Sequence, residues 1–323
     1  MKLTRRSLLN MGAATAVGSA LNPSLRAFDL HPAAAPNTFR FAVIADTHII
    51  DEFYVPGSEN GFEDNDSILK TTDRLTAARD SINAAHPIDG KQVEQVFLVG
   101  DCFHNYPSAD LDFYYKHRTR IDISRDLLDG FKMPVHIGFG NHDYDEHQKP
   151  GISREMSHQL FKDKLRTEPY YAVDYKGFRF LHLNNFLGKT WDADQPLKGR
   201  TIGSLGETQL QWAEAQLAQR KPTVVFIHYP LWFQQPTEFA DFGLHPLLRK
   251  YQDNIRIVIA GHYHKWIDFS HTYGPQHTVM ASTRYDKNAF MLFDADSKAG
   301  SIRWIDNDRP EWSTHYAKPY TRG

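Results

Sequence analysis

The 323-residue sequence predicts an α/β fold in which a two-sheet β-sandwich is flanked by helices. Short apolar runs alternate with stretches of helical spacing over most of the chain, which is the order typical of parallel sheets covered by helices. The last apolar runs follow one another without helices between them, which predicts a second sheet or an antiparallel edge. The sequence contains no internal repeat and no Pro/Ser-rich linker, so we predict a single folded domain.

The predicted elements follow from these runs. Buried strands are expected at residues 39–45, 96–100, 134–139, 178–183, 223–228, 255–260 and 290–293. Helical spacing occurs at residues 68–85, 121–128, 153–165 and 207–217. Strands without intervening helices are expected at residues 266–273, 277–280 and 302–305.

Composition and charge exclude several classes of protein. A hydrophobic fraction of 41% and a charged fraction of 24% are ordinary for a globular chain. The formal net charge of -2 provides no basic footprint for nucleic acid. Cys102 is the only cysteine, so an internal disulfide or a thiolate metal cluster is excluded. A cysteine phosphatase needs an Arg six positions later, but Ser108 stands there, and we expect Cys102 to be a buried apolar residue.

The N-terminal residues resemble a twin-arginine export signal. Arg5 and Arg6 precede an uncharged small and apolar stretch at residues 10–21, which is too short to span a bilayer as a stable helix. We therefore predict an export signal at residues 1–27 and the folded domain at residues 28–323. The twin-arginine translocation machinery would then be a partner, and the mature chain would be periplasmic or extracellular.

Polar side chains follow five of the predicted strands, at the point where each strand ends. The motifs are Asp46-Thr47-His48, Gly100-Asp101, Gly140-Asn141-His142-Asp143, His228 and Gly261-His262-Tyr263-His264. Open α/β sheets place their ligands at the carboxyl ends of their strands. Imidazoles and carboxylates next to buried strands need partners, and a pair of metal ions would satisfy all of them.

In this order and spacing, the motifs resemble those of the calcineurin-like metallophosphoesterase family, from about residue 39 to residue 264. The resemblance implies a four-layer α/β/β/α fold and two bound metal ions. It implies that the first metal is held by Asp46, His48 and His264, and the second by Asn141, His228 and His262. Asp101 would bridge the two metals, and His142 would be the catalytic histidine, oriented by Asp143.

Physical chemistry supports these implied roles. Two cations about 3.5–4 Å apart need a shared anionic ligand, and they lower the pKa of bound water so that hydroxide can attack phosphorus in line. His142 can then protonate the departing alkoxide. Asn141 is a neutral ligand, so we expect the second site to be the weaker one. The donor types suit Mn, Fe, Co and Zn alike, in divalent or mixed-valence pairs.

The expected activity is metal-dependent hydrolysis of a small-molecule phosphoric ester. We favour a phosphodiesterase or a broad phosphoesterase, because residues 170–183 and 203–212 resemble connecting elements of the phosphodiesterase-like branch of the family. The alternatives are a phosphomonoesterase and a non-catalytic binding protein on the same fold. The sequence has no phosphate loop, nucleophile elbow or H-E-x-x-H motif.

Three features remain open at this point. His104 occupies the position where purple acid phosphatases have a tyrosine, which argues against a purple iron centre, and it either touches the metals or packs beside them. Residues 49–67, which are acidic and aromatic, form either a lid or an ordinary surface excursion. Residues 231–233 form either an apolar wall near the metals or part of the core.

Overall fold

The computed structural model describes residues 37–87, 89–144, 152–191 and 202–305. Within these ranges the strands form two sheets. The strands are β1 Thr38–Ile44, β2 Gln95–Leu98, β3 Val135–Ile137, β4 Tyr171–Tyr175, β5 Phe178–His182, β6 Thr223–Phe226, β7 Ile255–Ala260, β8 Ile267–Ser270, β9 His277–Val279, β10 Phe290–Asp296 and β11 Ser301–Ile305.

Most of the helices connect parallel strands within one sheet, and α5 lies between β3 of the first sheet and β4 of the second. They are α1 Phe62–Ile68, α2 Thr71–Asn83, α3 Phe113–Lys116, α4 Arg120–Leu128, α5 Arg154–Leu160, α6 Glu207–Leu217 and α7 Leu244–Lys250. Helix α4 begins with a capping box in which Thr119 and Asp122 satisfy each other's backbone amides. In the described part of the chain no helix is both long and apolar enough to cross a membrane.

Each sheet has a central group of parallel strands. The first sheet has the order β11-β10-β1-β2-β3, in which β1, β2 and β3 are parallel and β10 is antiparallel to β1. The second has the order β4-β5-β6-β7-β9-β8, in which β5, β6, β7 and β9 are parallel. The carboxyl ends of the parallel strands carry the five motifs.

Alternating side chains on the strands build the layers. Phe41 and Val43 on β1 point into the space between the sheets, whereas Ala42 and Ile44 point towards the helices. Between the sheets, Phe97 stacks on Phe180 with the ring centroids 4.4 Å apart. Helices α2, α4 and α5 cover the first sheet, and α6 and α7 cover the second. The predicted four-layer sandwich is confirmed.

Several element boundaries differ from the sequence prediction. The helix expected at residues 68–85 is α2, which begins at Thr71, because the chain turns at Leu69 and Lys70 and the hydroxyl of Thr71 bonds to the carbonyl of Ile68. Helix α1, which precedes this turn, was not predicted. The helix expected at residues 153–165 ends as a π-helical turn at Phe161–Leu165. Strand β4 and helix α7 were not predicted, because neither has a long apolar run. Residues 1–27, the predicted export signal, lie outside the described residues.

Candidate metal centre

The five motifs meet at one edge of the sandwich. Strands β1, β2 and β3 deliver their motifs from the first sheet, and β6 and β7 deliver theirs from the second. Backbone hydrogen bonds join the strand ends, from the amide of Asp46 to the carbonyl of Gly100 and from Gly261 to His228, both 3.1 Å. The parallel order of the strands therefore brings together side chains that are more than 200 residues apart in sequence.

The first group of donor atoms contains Asp46, His48, Asp101 and His264. The Nε2 atoms of His48 and His264 face each other at 3.1 Å. His48 Nε2 lies 3.5 Å from Asp101 Oδ2, and His264 Nε2 lies 3.4 Å from Asp46 Oδ1. One ligand atom from each of the four residues lies within 4.8 Å of the others, so one cation could contact all of them.

The second group contains Asp101, His228 and His262. His228 Nε2 lies 3.1 Å from Asp101 Oδ2 and 2.9 Å from Asn141 Oδ1, so the amide of Asn141 belongs to the same cluster. His228 Nδ1 faces the carbonyl of Val99 at 2.9 Å, which directs Nε2 into the cluster. Asp101 is the carboxylate that the two groups share.

The buried carboxylates of the two groups indicate that these residues suit metal ions. Asp46 and Asp101 are almost fully buried, and their Oδ2 atoms receive no hydrogen bond from the described residues. Asp101 Oδ2 is close to His228 Nε2, but without hydrogen-bond geometry. Buried carboxylates without donors are costly unless a cation is present. Nitrogen and oxygen donors in this number match Mn, Fe, Co or Zn.

The backbone at the candidate ligands is strained. The left-handed region, which non-glycine residues rarely adopt, holds Asp46, His48, Asp101, His262 and His264, with φ angles of 54°, 46°, 51°, 70° and 57°. Each such residue costs on the order of 1 kcal/mol, and such strain persists where a site requires it. The concentration of strain at five of the seven predicted ligands therefore supports a functional centre at this edge.

Burial and neighbouring charges determine the protonation of the centre. Burial lowers the pKa of His48 and of His262 well below the ordinary range, and the neighbouring imidazoles lower it further. Burial raises the pKa of Asp101, but the adjacent His228 and His142 outweigh that effect and lower it. Neutral imidazoles and an ionised carboxylate are the protonation states in which these three groups bind metals. His228 differs: burial lowers its pKa, but Asp101 and Asp46 outweigh burial and raise the pKa to about 9, so a metal bound there would displace a proton.

His142 lies beside the first group, and its ring is oriented by Asn105. His142 Nδ1 lies 2.8 Å from Asn105 Oδ1, and its ring packs against that of His48 with centroids 4.7 Å apart. The carboxylate of Asp143 accepts hydrogen bonds from the backbone amides of Gly140 and Cys102, at 2.7 and 3.1 Å. The hydrogen bonds of Asp143 thus hold together the turns at Cys102 and Gly140, and Asn105 contacts the imidazole of His142.

His104 contacts a predicted ligand and packs on the catalytic candidate. Its Nδ1 lies 3.4 Å from His48 Nδ1, and its ring stacks on that of His142 with centroids 4.8 Å apart. Its Nε2 lies 3.0 Å from Glu59 Oε1. Both ring nitrogens of His104 therefore face groups of the protein, and His104 also forms with His48 and His142 a further group of donor atoms that could hold a metal ion.

Residues 49–67 form one wall of a cavity over this centre. The cavity has a volume of about 560 Å³ and is lined by Ser58, Glu59, Asn60, Asp64, His104, Asn105, His142, His264, Arg284 and Tyr285. The segment is attached by buried ion pairs, Asp51 to Arg120 at 2.7 Å and Glu59 to Arg284 at 2.8 Å. Charged contacts, together with the ring contacts of Phe53 and Tyr54, therefore hold the segment against the site.

The structure also gives the positions of Cys102 and of residues 231–233. Cys102 is buried as expected, and burial together with the nearby Asp143 raises the pKa of its thiol well above the ordinary value. In the 231–233 segment, Leu231 belongs to the core. Phe233 is only partly buried and packs near His262, with ring centroids 5.6 Å apart, so the segment contributes to both the core and the surroundings of the second group.

All the predicted ligands lie within the cluster, whereas Asn105, Glu59 and Arg284 were not singled out from sequence. Asn105 follows the Gly100-Asp101 motif by a few residues, and its polar side chain so close to the motif is the feature of the sequence that could have indicated a role at the site. Glu59 and Arg284 carry no comparable signal, because they are separated by 225 residues and meet only in the folded chain.

The calcineurin-like phosphoesterase family model matches residues 39–266, and the chain belongs to this family. Members of the family are metal-dependent hydrolases of phosphoric esters. Comparison with curated protein sequences finds no significant match.

Solved structures share the fold at low sequence identity. A dimetal phosphatase from Danio rerio is 20% identical over 79% of this chain and 92% of its own, with a TM-score of 0.50. A purple acid phosphatase from yellow lupin seeds is 16% identical over 88% of this chain and 57% of its own, with a TM-score of 0.44. A calcineurin-like phosphoesterase from Bacillus subtilis is 15% identical over 83% and 88%, with a TM-score of 0.42. At 20% identity the likeness to the dimetal phosphatase concerns the fold alone.

Proposed function

We propose that this chain is a phosphodiesterase or broad phosphoesterase with a binuclear metal centre. The observation that carries the proposal is that two clusters of donor atoms share one carboxylate, that of Asp101. In the proposed assignment Asp46, His48 and His264 complete the first site. Asn141, His228 and His262 complete the second. Mn, Fe, Zn or Co, as two divalent ions or a mixed-valence pair, suits these donors.

When bound, the two metals supply an activated water as nucleophile and neutralise charge on the phosphoryl oxygens. The protein's own residues do the rest. Asn105 Oδ1 accepts the Nδ1–H of His142 and so orients the imidazole ring. In its protonated form His142 also carries a proton on Nε2. As the P–O ester bond breaks, the departing alkoxide takes that proton and leaves the ring neutral, and the proton lost by the attacking water restores the protonated ring. Water supplies the oxygen that remains on phosphorus, so no protein nucleophile is needed.

The charge of the cavity wall supports a preference for diesters. Arg284 is the guanidinium on the lining, and it is paired with Glu59 at 2.8 Å. Asp64 adds a second carboxylate to the lining. A monoester dianion meets this wall with one more negative charge than a diester does, and the guanidinium is already paired. The less charged diester is therefore the favoured substrate.

The test is hydrolysis of bis(p-nitrophenyl) phosphate and p-nitrophenyl phosphate by metal-stripped protein, before and after Mn, Fe or Zn is added back. We expect metal-restored activity with a higher kcat/KM for the diester, and loss of at least a hundredfold in Asp101→Asn. Asp112→Asn, which changes an exposed carboxylate, is the matched control and should retain full activity.

The same experiment decides between the alternatives. A higher kcat/KM for the monoester would replace the diesterase with a phosphomonoesterase. Turnover of neither ester by protein with two bound metals would contradict an enzyme for such esters and support a binding protein on the same fold. Activity that is unaffected by metal removal would contradict the metal centre itself.

We also propose that the enzyme acts outside the cytoplasm. Arg5 and Arg6 followed by the uncharged stretch support twin-arginine export, which carries folded, metal-loaded proteins. Fractionation of cells that produce the full chain should place it in the periplasm or medium. Replacing both arginines with lysine should retain it in the cytoplasm, and an unchanged distribution would contradict the proposal.

A further inference from the structure

A chain of polar contacts runs from the candidate metal centre to the cavity wall. His48 Nδ1 lies 3.4 Å from His104 Nδ1, and His104 Nε2 lies 3.0 Å from Glu59 Oε1. Glu59 Oε2 in turn accepts a hydrogen bond of 2.8 Å from Arg284 Nη2. The four side chains are buried or nearly so, with exposed fractions of 0%, 7%, 15% and 3%.

The two ring nitrogens of each imidazole determine which group donates and which accepts at each of these contacts. His48 presents Nε2 to Asp101 and His264, so a metal bound there would leave the proton of His48 on Nδ1. His48 then donates from Nδ1 to the Nδ1 of His104. With Nδ1 accepting, neutral His104 carries its proton on Nε2 and donates it to Glu59. Each donor in the chain therefore meets an acceptor.

Glu59 is well suited to be the terminal acceptor. Burial raises the pKa of this carboxyl, but the contacts with His104 and Arg284 outweigh burial and lower the pKa to about 2. Arg284 is itself fixed by hydrogen bonds to the hydroxyl of Ser67 and the carbonyl of Asp64. The carboxylate is thus charged and held in place by a buried cation.

We propose that Glu59 is a positioning residue for the metal centre, acting through His104 to hold the imidazole of His48 with Nε2 directed at the other ligands. The proposal rests on the metal centre of the proposed function. It assigns residues 49–67 a role beyond that of a wall, because this segment supplies the acceptor on which the orientation of a ligand depends. Residues that hydrogen-bond to metal ligands commonly change metal affinity by about 10- to 100-fold.

The test is the affinity of the metal-stripped chain for Co²⁺, measured by visible absorption in competition with a chelator and without substrate. Glu59→Ala should weaken the tighter Co²⁺ site about tenfold and alter its absorption band. Glu59→Gln keeps an acceptor for His104 and should lose less. Glu63→Ala, an exposed carboxylate four residues later in the chain, is the matched control and should bind Co²⁺ as the wild type does.

The path through His104 is tested by a double-mutant cycle. His104→Phe keeps an aromatic ring against His142 but removes both nitrogens, so it should weaken Co²⁺ binding by itself. Adding Glu59→Ala to that variant should then cause no further loss.

An equal loss on the His104→Phe background, or unchanged affinity in Glu59→Ala, would overturn the proposal. Melting of the metal-stripped variants shows whether the fold persists. Because no substrate is present, these outcomes are independent of whether the chain hydrolyses phosphoesters.

Discussion

At the scale of single residues, the centre is defined by side chains held in unfavourable backbone conformations. Asp46, His48 and Asp101 have φ angles near +50°, which most residues avoid. Their neighbours stabilise them: the hydroxyl of Ser282 donates to the carbonyl of Asp46, and the amide of His48 donates to the carbonyl of Asp101. Strain at the ligands is thus offset by hydrogen bonds from segments far away in sequence.

The contact between Asn105 and His142 leads to a prediction for catalysis. Asn105 has a φ of 54°, so Asn105→Gly removes the acceptor without adding backbone strain. We expect kcat to fall about 10- to 100-fold, because the imidazole loses the partner that sets its tautomer, with little change in metal content. Asn105→Asp keeps an oxygen acceptor and should retain most activity. Equal kcat in Asn105→Gly and the wild type would show that the contact has no catalytic role.

Sequence alone identifies the candidate metal ligands better than it identifies the residues that contact them. A candidate ligand such as His228 follows an apolar strand directly, and this position is visible in the sequence. The partner of His142 depends on how the loop after Asp101 turns, and the partner of His104 comes from a segment without a metal-binding motif. Such contacts depend on tertiary packing, which periodicity does not encode.

At the scale of elements, tight turns at the strand ends position the ligands. Gly100 has a φ of 79°, and a Cβ at this position would meet His228 Nδ1 at 2.5 Å and the amide of Gly140 at 2.8 Å. A Cβ on Gly140 would collide with the carboxylate of Asp101. The two glycines therefore let the ends of β2 and β3 approach closely enough for Asp101 to reach both groups.

Substitutions at Gly57 and Gly100 separate the effect of backbone strain from that of side-chain crowding. Gly57 has a similar φ of 84°, but a Cβ there would meet no atom within 4 Å. Gly57→Ala should cost about 1 kcal/mol of unfolding free energy and leave metal content unchanged. Gly100→Ala adds a clash with His228 and should also reduce bound metal by at least half, measured by elemental analysis. Full metal content in Gly100→Ala would contradict the role assigned to this turn.

At the scale of the whole molecule, the sandwich and its layers could be predicted because apolar alternation records which face each strand buries. Phe41 and Ala42, adjacent on β1, belong to different clusters for that reason. Strand β4 was missed because its residues are only partly buried, so the expected apolar run is absent. Edge strands of this kind are shaped by their neighbour, here β5, more than by their own sequence.

A buried ion pair far from the motifs gives a prediction about stability. Arg40 is 1% exposed and contacts Asp294 at 2.9 Å and Asp89 at 2.7 Å. Asp294→Ala leaves this guanidinium with one carboxylate and should lower the unfolding free energy by about 2 kcal/mol in urea titrations. Asp112→Ala, which removes an exposed carboxylate, should change it by less than about 0.5 kcal/mol.

The pH dependence of this effect has a definite sign. Burial raises the pKa of Asp294, but the contacts with Arg40 outweigh it and lower the pKa below the ordinary value of 3.8. The stabilisation is therefore complete above pH 3.8 and is lost as the pH falls through the lower pKa of the folded state. The difference in unfolding free energy between the wild type and Asp294→Ala should become smaller only below about pH 4. A difference that narrows between pH 7 and pH 5 would contradict this account.

The central claim is that two metals share the carboxylate of Asp101, and electron paramagnetic resonance of the Mn²⁺-loaded chain tests it most directly. We predict two Mn²⁺ per chain with a spin-coupled spectrum, because a bridging carboxylate holds the ions about 3.5–4 Å apart. Asp101→Asn should lose the coupled signal. A single bound Mn²⁺, or two that give only uncoupled signals in the wild type, would contradict the shared site.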